Sequence, residues 1–373
     1  MKNRYDVAAY FWPSYTGDEP RARIFWPEGY GEWQTVKAME PRFEGHEWPR
    51  KPRWGYINEA DPYVMEMELS AASDHGINVF IFDWYWYDDR PFLEQSLDNG
   101  YLKARNNDKV KFIVMWANHE MGSAWDKRTA HEYINLCDFA RGEEKFKTIV
   151  DRVIKMYFVH DSYYKIGGKP VFQIYDLGNF IKGLGGIDGA RKALDILQNK
   201  AISAGFDGVH TQITLRSHAD MEGRNPAAFG FDGTVRDVAN LLPIDSLTDY
   251  VVTAYIKEHT EYKDFLPEMI NNWDYCRERY SAPYFPNVSL GWDPTPRFIP
   301  TRKDVMLHDS PELALEALVK ARKYVDDHPE LPARLVTVNS WNEWTEGSYL
   351  MPDDRSGYGY LEAVKHVFVD GIE

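Results

Sequence analysis

Eight short, largely apolar runs alternate with amphipathic, helix-like stretches along the chain, and this alternation restricts the fold more than any other feature. The runs are Asp6–Phe11, Ile77–Phe82, Lys111–Met115, Pro170–Ile174, Val209–Leu215, Ala228–Thr234, Asn287–Leu290 and Arg334–Asn339. Helical sequence is expected between them at Asp61–His75, Phe92–Leu102, Lys127–Phe139 and Glu143–Val159, then at Asp188–Ala204, Asp264–Arg279, Pro311–His328 and Tyr358–Val369. Strands interleaved with helices imply a parallel sheet. A single α/β fold, a closed (β/α)8 TIM barrel with long loops, suits 373 residues better than an open sheet. The Trp/Pro/Gly-rich segment from Trp12 to about Ala60 is expected to be one such structured loop. No Pro/Ser/Gly linker or composition break divides the chain, so residues 1–373 are expected to form one domain.

Acidic residues outnumber basic ones by 58 to 43, a formal charge of −15. That balance argues against nucleic acid, which needs a basic footprint, and against an anionic membrane surface. A strongly anionic polysaccharide would have to find a local basic patch. Two cysteines, Cys137 and Cys276, make neither a disulfide framework nor a cysteine-based metal site. No apolar run reaches the roughly 18 residues of a membrane span. The N-terminus passes from MKNRY into a strand-like run without a signal-peptide core, so a cytoplasmic location is expected, or a periplasmic or secreted one if an export signal has been removed. Aromatic residues are abundant, with 13 Trp and 24 Tyr, which suggests surfaces that stack on flat apolar faces such as sugar rings.

The eighth run leads into Ser340-Trp341-Asn342-Glu343-Trp344-Thr345-Glu346-Gly347. Polar and aromatic residues also follow the other runs: Asp83 and Trp84, Trp116 and Asn118, Tyr175 and Asp176, Arg216, Trp292 and Asp293. In a parallel barrel the C-terminal strand ends converge on one mouth. Glu343 and Glu346 are the two glutamates placed together there, and two carboxylates are the minimum for cleaving a glycosidic bond. A spacing of three in a helical turn would set their Cβ atoms about 5–6 Å apart. Like charges that close raise one pKa, as a general acid requires.

Other chemistries find less support. The histidines show no H-x-H or HExxH, so His119, His131, His210 and His218 read as hydrogen-bonding or sugar-contacting groups and no metal site is expected. Gly183-Leu184-Gly185-Gly186-Ile187-Asp188 lacks the last glycine of a dinucleotide fingerprint and starts well after its strand. A G-x-S-x-G nucleophile elbow is absent, and no cofactor is expected.

The chain resembles the WbsX-like proteins, relatives of glycoside hydrolase family 99, from its first strand to its last helix. The landmarks are Ala9-Tyr10-Phe11-Trp12-Pro13, Gly31-Glu32-Trp33, Tyr85-Trp86-Tyr87 with Leu93-Glu94, Met115-Trp116-Ala117-Asn118, Ile166-Gly167-Gly168-Lys169-Pro170-Val171, Gly291-Trp292-Asp293 through Arg297, and Trp341-Asn342-Glu343-Trp344-Thr345-Glu346-Gly347. The third-strand motif departs from the family's W-A-N-E-x-W, since Asn118 is followed by His119-Glu120-Met121. The resemblance implies a barrel acting on glycans, with a retaining mechanism through a 1,2-anhydro sugar. On that basis Glu343 is the base for the sugar's 2-hydroxyl, and Glu346 is the acid for the leaving oxygen. Tyr10, Glu32, Trp84 and Arg297 fall where the family surrounds the sugar being cleaved.

The expected activity is therefore hydrolysis of a 1,2-trans glycoside, such as an α-mannoside or α-rhamnoside, in an oligosaccharide or polysaccharide. Trp116, Asn118, Tyr175, Trp292, Asp293, Trp341 and Asn342 are the further expected substrate contacts. One alternative is a glycosyltransferase of cell-surface polysaccharide synthesis, for which Asp88-Asp89, Asp326-Asp327 and Asp353-Asp354 would be poor metal–nucleotide-sugar motifs. The other is a barrel that binds glycan without turnover.

Overall fold

The structure is a computed structural model that describes residues 4–126, 128–129, 133–216, 218–222, 237–251, 253–298 and 303–372. Its centre is a sheet of eight parallel strands: β1 (Asp6–Phe11), β2 (Val79–Tyr87), β3 (Lys111–Trp116), β4 (Lys169–Ile174), β5 (His210–Leu215), β6 (Ser246–Asp249), β7 (Asn287–Ser289) and β8 (Leu335–Asn339). Hydrogen-bonded neighbours run β6-β5-β4-β3-β2-β1-β8-β7. Leu247 closes the circle: its amide donates to Pro283 O and its carbonyl accepts from Phe285 N, both at 2.8 Å, just ahead of β7. The fold is an α/β, near-closed eight-stranded barrel.

The helices that cover it are α1 (Pro62–Asp74), α2 (Glu143–Val153), α3 (Ile187–Ser203), α4 (Tyr262–Arg279), α5 (Pro311–Asp327) and α6 (Gly359–Phe368). Their starts are written in the sequence. Asp61 accepts from Tyr63 N ahead of Pro62, and Ser310 accepts from Leu313 N ahead of Pro311. A capping oxygen followed by a proline satisfies first-turn amides and fixes the first helical φ. α5 then buries Ala314, Ala317, Leu318, Ala321, Tyr324 and Val325, one stripe at helical spacing.

Three expectations need revision. The expected strand at 228–234 lies outside the described residues, as does His131, and the sixth barrel position is taken by Ser246–Asp249. That strand is short and mostly polar: Ser246 and Thr248 point into the barrel, where they meet His210 and Thr337, each at 2.7 Å. The expected helix at Phe92–Leu102 starts late and is irregular: Arg90–Phe92 is a strand folded back on β2, and a π-helical turn, Ser96–Gly100, then runs into a 3-10 turn, Tyr101–Lys103. Leu93 has a left-handed backbone (φ 57°), which no helix accepts, and a Cβ on Gly100 would meet Glu59 O at 2.1 Å. Within the expected helix Lys127–Phe139, Asn135–Cys137 pairs antiparallel with Met121–Gly122.

The barrel interior is unusually polar, and its side chains hydrogen-bond to one another across the strands. Gln173 Nε2 donates to both Tyr10 Oη (2.9 Å) and Thr214 Oγ1 (2.8 Å), while Asn287 Nδ2 donates to Thr337 Oγ1 at 3.0 Å. Buried polar groups are tolerated when paired in this way. Together they form the floor under the mouth.

Candidate active site

The Glu343–Glu346 segment belongs to a small hairpin whose connection is a single 3-10 turn. Asn342–Glu343 pairs antiparallel with Ser348–Tyr349, and Trp344–Glu346 makes the connecting turn. Gly347 closes it with φ +66°, and a Cβ there would come within 2.9 Å of Asp293 Cβ. Ser340 Oγ accepts from Glu343 N at 2.8 Å and donates to Ser348 O at 2.7 Å. Asn342 joins the hairpin to the loop after β1, accepting from Trp12 N (2.7 Å) and donating to Trp12 O and Glu59 Oε1 (both 2.8 Å). Trp341 Nε1 donates to buried Glu68 at 2.7 Å. These bonds hold the hairpin against the loop after β1 and against α1.

One guanidinium organises the carboxylates. Arg297 donates through Nη2 to Glu343 Oε1 at 2.7 Å and through Nη1 to Glu346 Oε1 at 2.9 Å. Its other edge binds Glu32 bidentately, Nε to Oε1 at 2.8 Å and Nη2 to Oε2 at 3.1 Å. Trp12 Nε1 also donates to Glu32, at 2.5 Å, and Arg297 lies over the Trp12 ring. Such fork-shaped, charge-assisted bonds fix direction as well as distance. Glu343 is 2% exposed and accepts further bonds from Tyr250 Oη and Thr345 Oγ1, both at 3.3 Å. Glu346 is 17% exposed and closer to solvent.

Burial pushes the Glu343 carboxyl well above the usual range; Arg297 opposes that rise and the charge of Glu346 adds to it. The neighbouring carboxylate expected to cause the shift is therefore a lesser cause than desolvation. Asp83, at the mouth end of β2, is also pushed well up, by burial first and then by Glu346. Its Oδ1 has no hydrogen-bond partner among the described residues. His119 is lowered to about 4 by burial, and its Nδ1 hydrogen bonds to Glu120 O at 2.8 Å. Since a carbonyl only accepts, Nδ1 carries the proton and Nε2 is an acceptor.

These groups share a cavity of about 610 Å³. Glu343, Glu346, Arg297, Tyr175 and Trp292 line it, as expected positions for contact. The remaining expected contacts lie elsewhere. Trp84 packs on Trp86 and Tyr157, Trp116 on Phe146 and Phe180, and Trp341 on Phe80, all outside the barrel. Strand alternation explains this: Asp83 and Tyr85 face the cavity, so Trp84 and Trp86 face out. Tyr10 lies below the cavity, donating to Asp249 O at 3.0 Å, and Glu32 lies behind Arg297. Asn118 ties two loops together through the backbone of Asp176, and Asn342 anchors the hairpin. Asp293 turns away to His46 Nε2 (2.7 Å), Trp48 and Thr295; burial favours its neutral form, but the His46 bond and charge outweigh that and lower its pKa.

Several lining residues escaped the sequence reading. Trp12, Tyr85, Trp125 and Tyr250 form much of the aromatic wall. Tyr250 follows β6 and was missed with that strand; strand-end alternation would have found Tyr85. Among the described residues no group of three or more His, Cys, Asp or Glu is arranged to hold a metal ion. No helix among them is long and apolar enough to cross a membrane.

A parallel eight-stranded barrel with paired carboxylates at its C-terminal mouth has a glycosidase-like architecture. The family model described as glycosyltransferase WbsX matches residues 7–364, and the chain belongs to that family. Two curated relatives, each named uncharacterized protein WxcX, come from Xanthomonas campestris pv. campestris, strains ATCC 33913 and B100. Each is 26% identical over 352 residues, covering 93% of this chain and 47% of the relative. The chain therefore spans about half the length of the curated relatives it matches. Among solved structures, the GH99 endo-alpha-mannosidase from Bacteroides thetaiotaomicron superposes with a TM-score of 0.58 at 14% identity, covering 98% of this chain and 96% of that one. A glycoside hydrolase-like protein superposes with a TM-score of 0.62 at 14% identity, over 98% and 94%. At these identities the likeness is one of fold.

Proposed function

We propose that this chain is a retaining glycoside hydrolase that cleaves a 1,2-trans bond in a complex polysaccharide, with residues 1–373 acting as one catalytic domain. The observation that carries this reading is the Glu343–Arg297–Glu346 arrangement on one cavity wall. Glu343 takes the proton of the 2-hydroxyl as that oxygen attacks the anomeric carbon and the glycosidic C–O bond breaks. Glu346 gives its proton to the departing oxygen. Water then opens the 1,2-anhydro ring, losing a proton to Glu346 while the 2-oxygen recovers its proton from Glu343. A buried base must still ionise, and the bond from Arg297 favours its charged form. The more exposed Glu346 suits a group that meets the leaving sugar and then water.

Asp83, its carboxyl pushed toward the protonated form by burial, lines the cavity as a donor for a sugar hydroxyl, and His119 Nε2 as an acceptor. The attacking hydroxyl must lie anti to the leaving group, so α-mannosides, α-rhamnosides, β-glucosides and β-galactosides qualify, whereas α-glucosides do not.

The family description favours a second reading, sugar transfer in polysaccharide synthesis. A panel of 1,2-trans and 1,2-cis aryl glycosides and polysaccharides, run beside nucleotide-sugar donors with divalent metal, separates the two. Release of reducing sugar from 1,2-trans substrates supports hydrolysis. Donor-dependent transfer without hydrolysis would replace it, and binding without turnover would leave a glycan-binding barrel.

A further inference from the structure

Positive charge at the cavity is divided between two places. Arg297 is buried and engaged by three carboxylates. Lys182 and Arg216 line the same cavity but come from the loops after β4 and β5. Arg216 is held by one ion pair that engages only part of its guanidinium. Its guanidinium lies over the Tyr175 ring, 4.7 Å from the centroid, and Nη1 stands 3.3 Å from Asp176 Oδ2. Asp176 is itself fixed, because its Oδ1 accepts from Asn179 N at 2.7 Å and Asn118 clamps its backbone on both sides. The Nε–Nη2 edge of Arg216 has no partner among the described residues. Two parallel N–H groups on one guanidinium edge match the two oxygens of an anion.

Lys182 is exposed, and its ammonium makes no hydrogen bond or ion pair among the described residues. It lies three residues beyond Asn179 in the short helix Leu177–Gly183, and both line the cavity. Arg216 also borders a recess of about 100 Å³ shared with Glu346 and walled by Tyr175, Tyr250, Thr253 and Trp292. In a chain with a charge of −15, this is where a cationic edge meets an aromatic recess.

We infer that the Glu346 side of the cavity is a subsite for an acidic sugar, one carrying a carboxylate or a sulfate or phosphate ester, bound by Arg216 and Lys182. Its placement on the leaving-group side rests on the hydrolase reading, in which Glu346 protonates the leaving oxygen. The anion lies along the free edge of Arg216, Lys182 closes over it, and the ring meets Tyr175 and Trp292. A neutral sugar in the same place gains the aromatic contact alone.

Binding tests this without turnover. The full chain is titrated with D-glucuronate, D-glucose 6-sulfate and D-glucose, followed by tryptophan fluorescence and ligand-observed NMR. At least one of the two anions is expected to bind about tenfold or more tightly than glucose, as charge-assisted bonds imply. The better of the two identifies the substituent. Lys182→Ala, an exposed change, is expected to reduce the preference, and Lys182→Ala with Arg216→Ala to abolish it, while Glu346→Gln retains it. Equal affinity for all three ligands, or a preference that survives the double substitution, would overturn the inference. Anion preference in a protein that cleaves no glycoside would keep the subsite and remove the hydrolase reading; cleavage without anion preference would do the reverse.

Discussion

Replacing Arg297 with methionine removes a charge while nearly keeping the side chain's length, and its consequences follow from the geometry. With Nη2 2.7 Å from Glu343 Oε1, the two charge centres are about 4 Å apart. At an effective dielectric of about 20 that attraction is about 4 kcal/mol, or roughly three powers of ten in the ionised fraction of the base. Burial, Glu346, Glu32 and Asp83 all push Glu343 upward, so loss of the cation moves its ionisation to higher pH. The acidic limb of the pH profile of kcat/KM should shift upward with it. At neutral pH kcat/KM should fall by about 10²–10³, with partial recovery as the pH rises. Arg297→Lys, which keeps the charge but loses the fork, should fall between the variant and the parent. The assay is the pH–rate profile on a cleaved 1,2-trans aryl glycoside, with circular dichroism verifying the fold. An equal loss at every pH would refute the electrostatic role and leave Arg297 a purely structural tie.

Other outcomes follow from the same geometry. Glu346→Gln should slow glycosides with poor leaving groups by about 10²–10⁴ while largely sparing activated aryl leaving groups, because only the former need protonation; equal losses across a leaving-group series would contradict the acid role. Asp83→Asn, which still donates a hydrogen bond, should retain more activity than Asp83→Ala, and the difference should fall in kcat/KM; indistinguishable variants would remove Asp83 from substrate contact. Glu68 is raised by burial from 4.5 to about 8, so the folded protein binds this proton more tightly than the unfolded chain does. Its contribution is complete below about 4.5 and is lost as pH rises toward 8; Glu68→Gln should flatten thermal stability over that window, and an unchanged slope would contradict the assignment.

Seven of the eight barrel strands were legible, the first, second and eighth most plainly because a strand buried on both faces carries a largely apolar run. The sixth was not, since Ser246 and Thr248 serve a hydrogen-bonded interior instead of an oily one. Tyr250, a wall of the cavity and a donor to Glu343, was hidden with it. The paired glutamates stood out as two carboxylates between tryptophans directly after an apolar run, whereas Arg297 was singled out only through the resemblance to the WbsX-like proteins. Trp84, Trp116 and Trp341 misled for a related reason: their nearness to strand ends was read without the two-residue period that turns them outward. Asn118, Asn342 and Asp293 are buried in loop-holding bonds, and nothing local in a sequence distinguishes a polar group that holds a site from one that meets a ligand.

Product stereochemistry is the most direct test of the central claim. The first-formed anomer from a cleaved 1,2-trans glycoside, followed by proton NMR before mutarotation, should carry the configuration of the substrate, and blocking the 2-hydroxyl as its methyl ether should abolish cleavage. An inverted first product, or undiminished cleavage of the 2-O-methyl substrate, would contradict a reaction in which Glu343 activates the sugar's own oxygen.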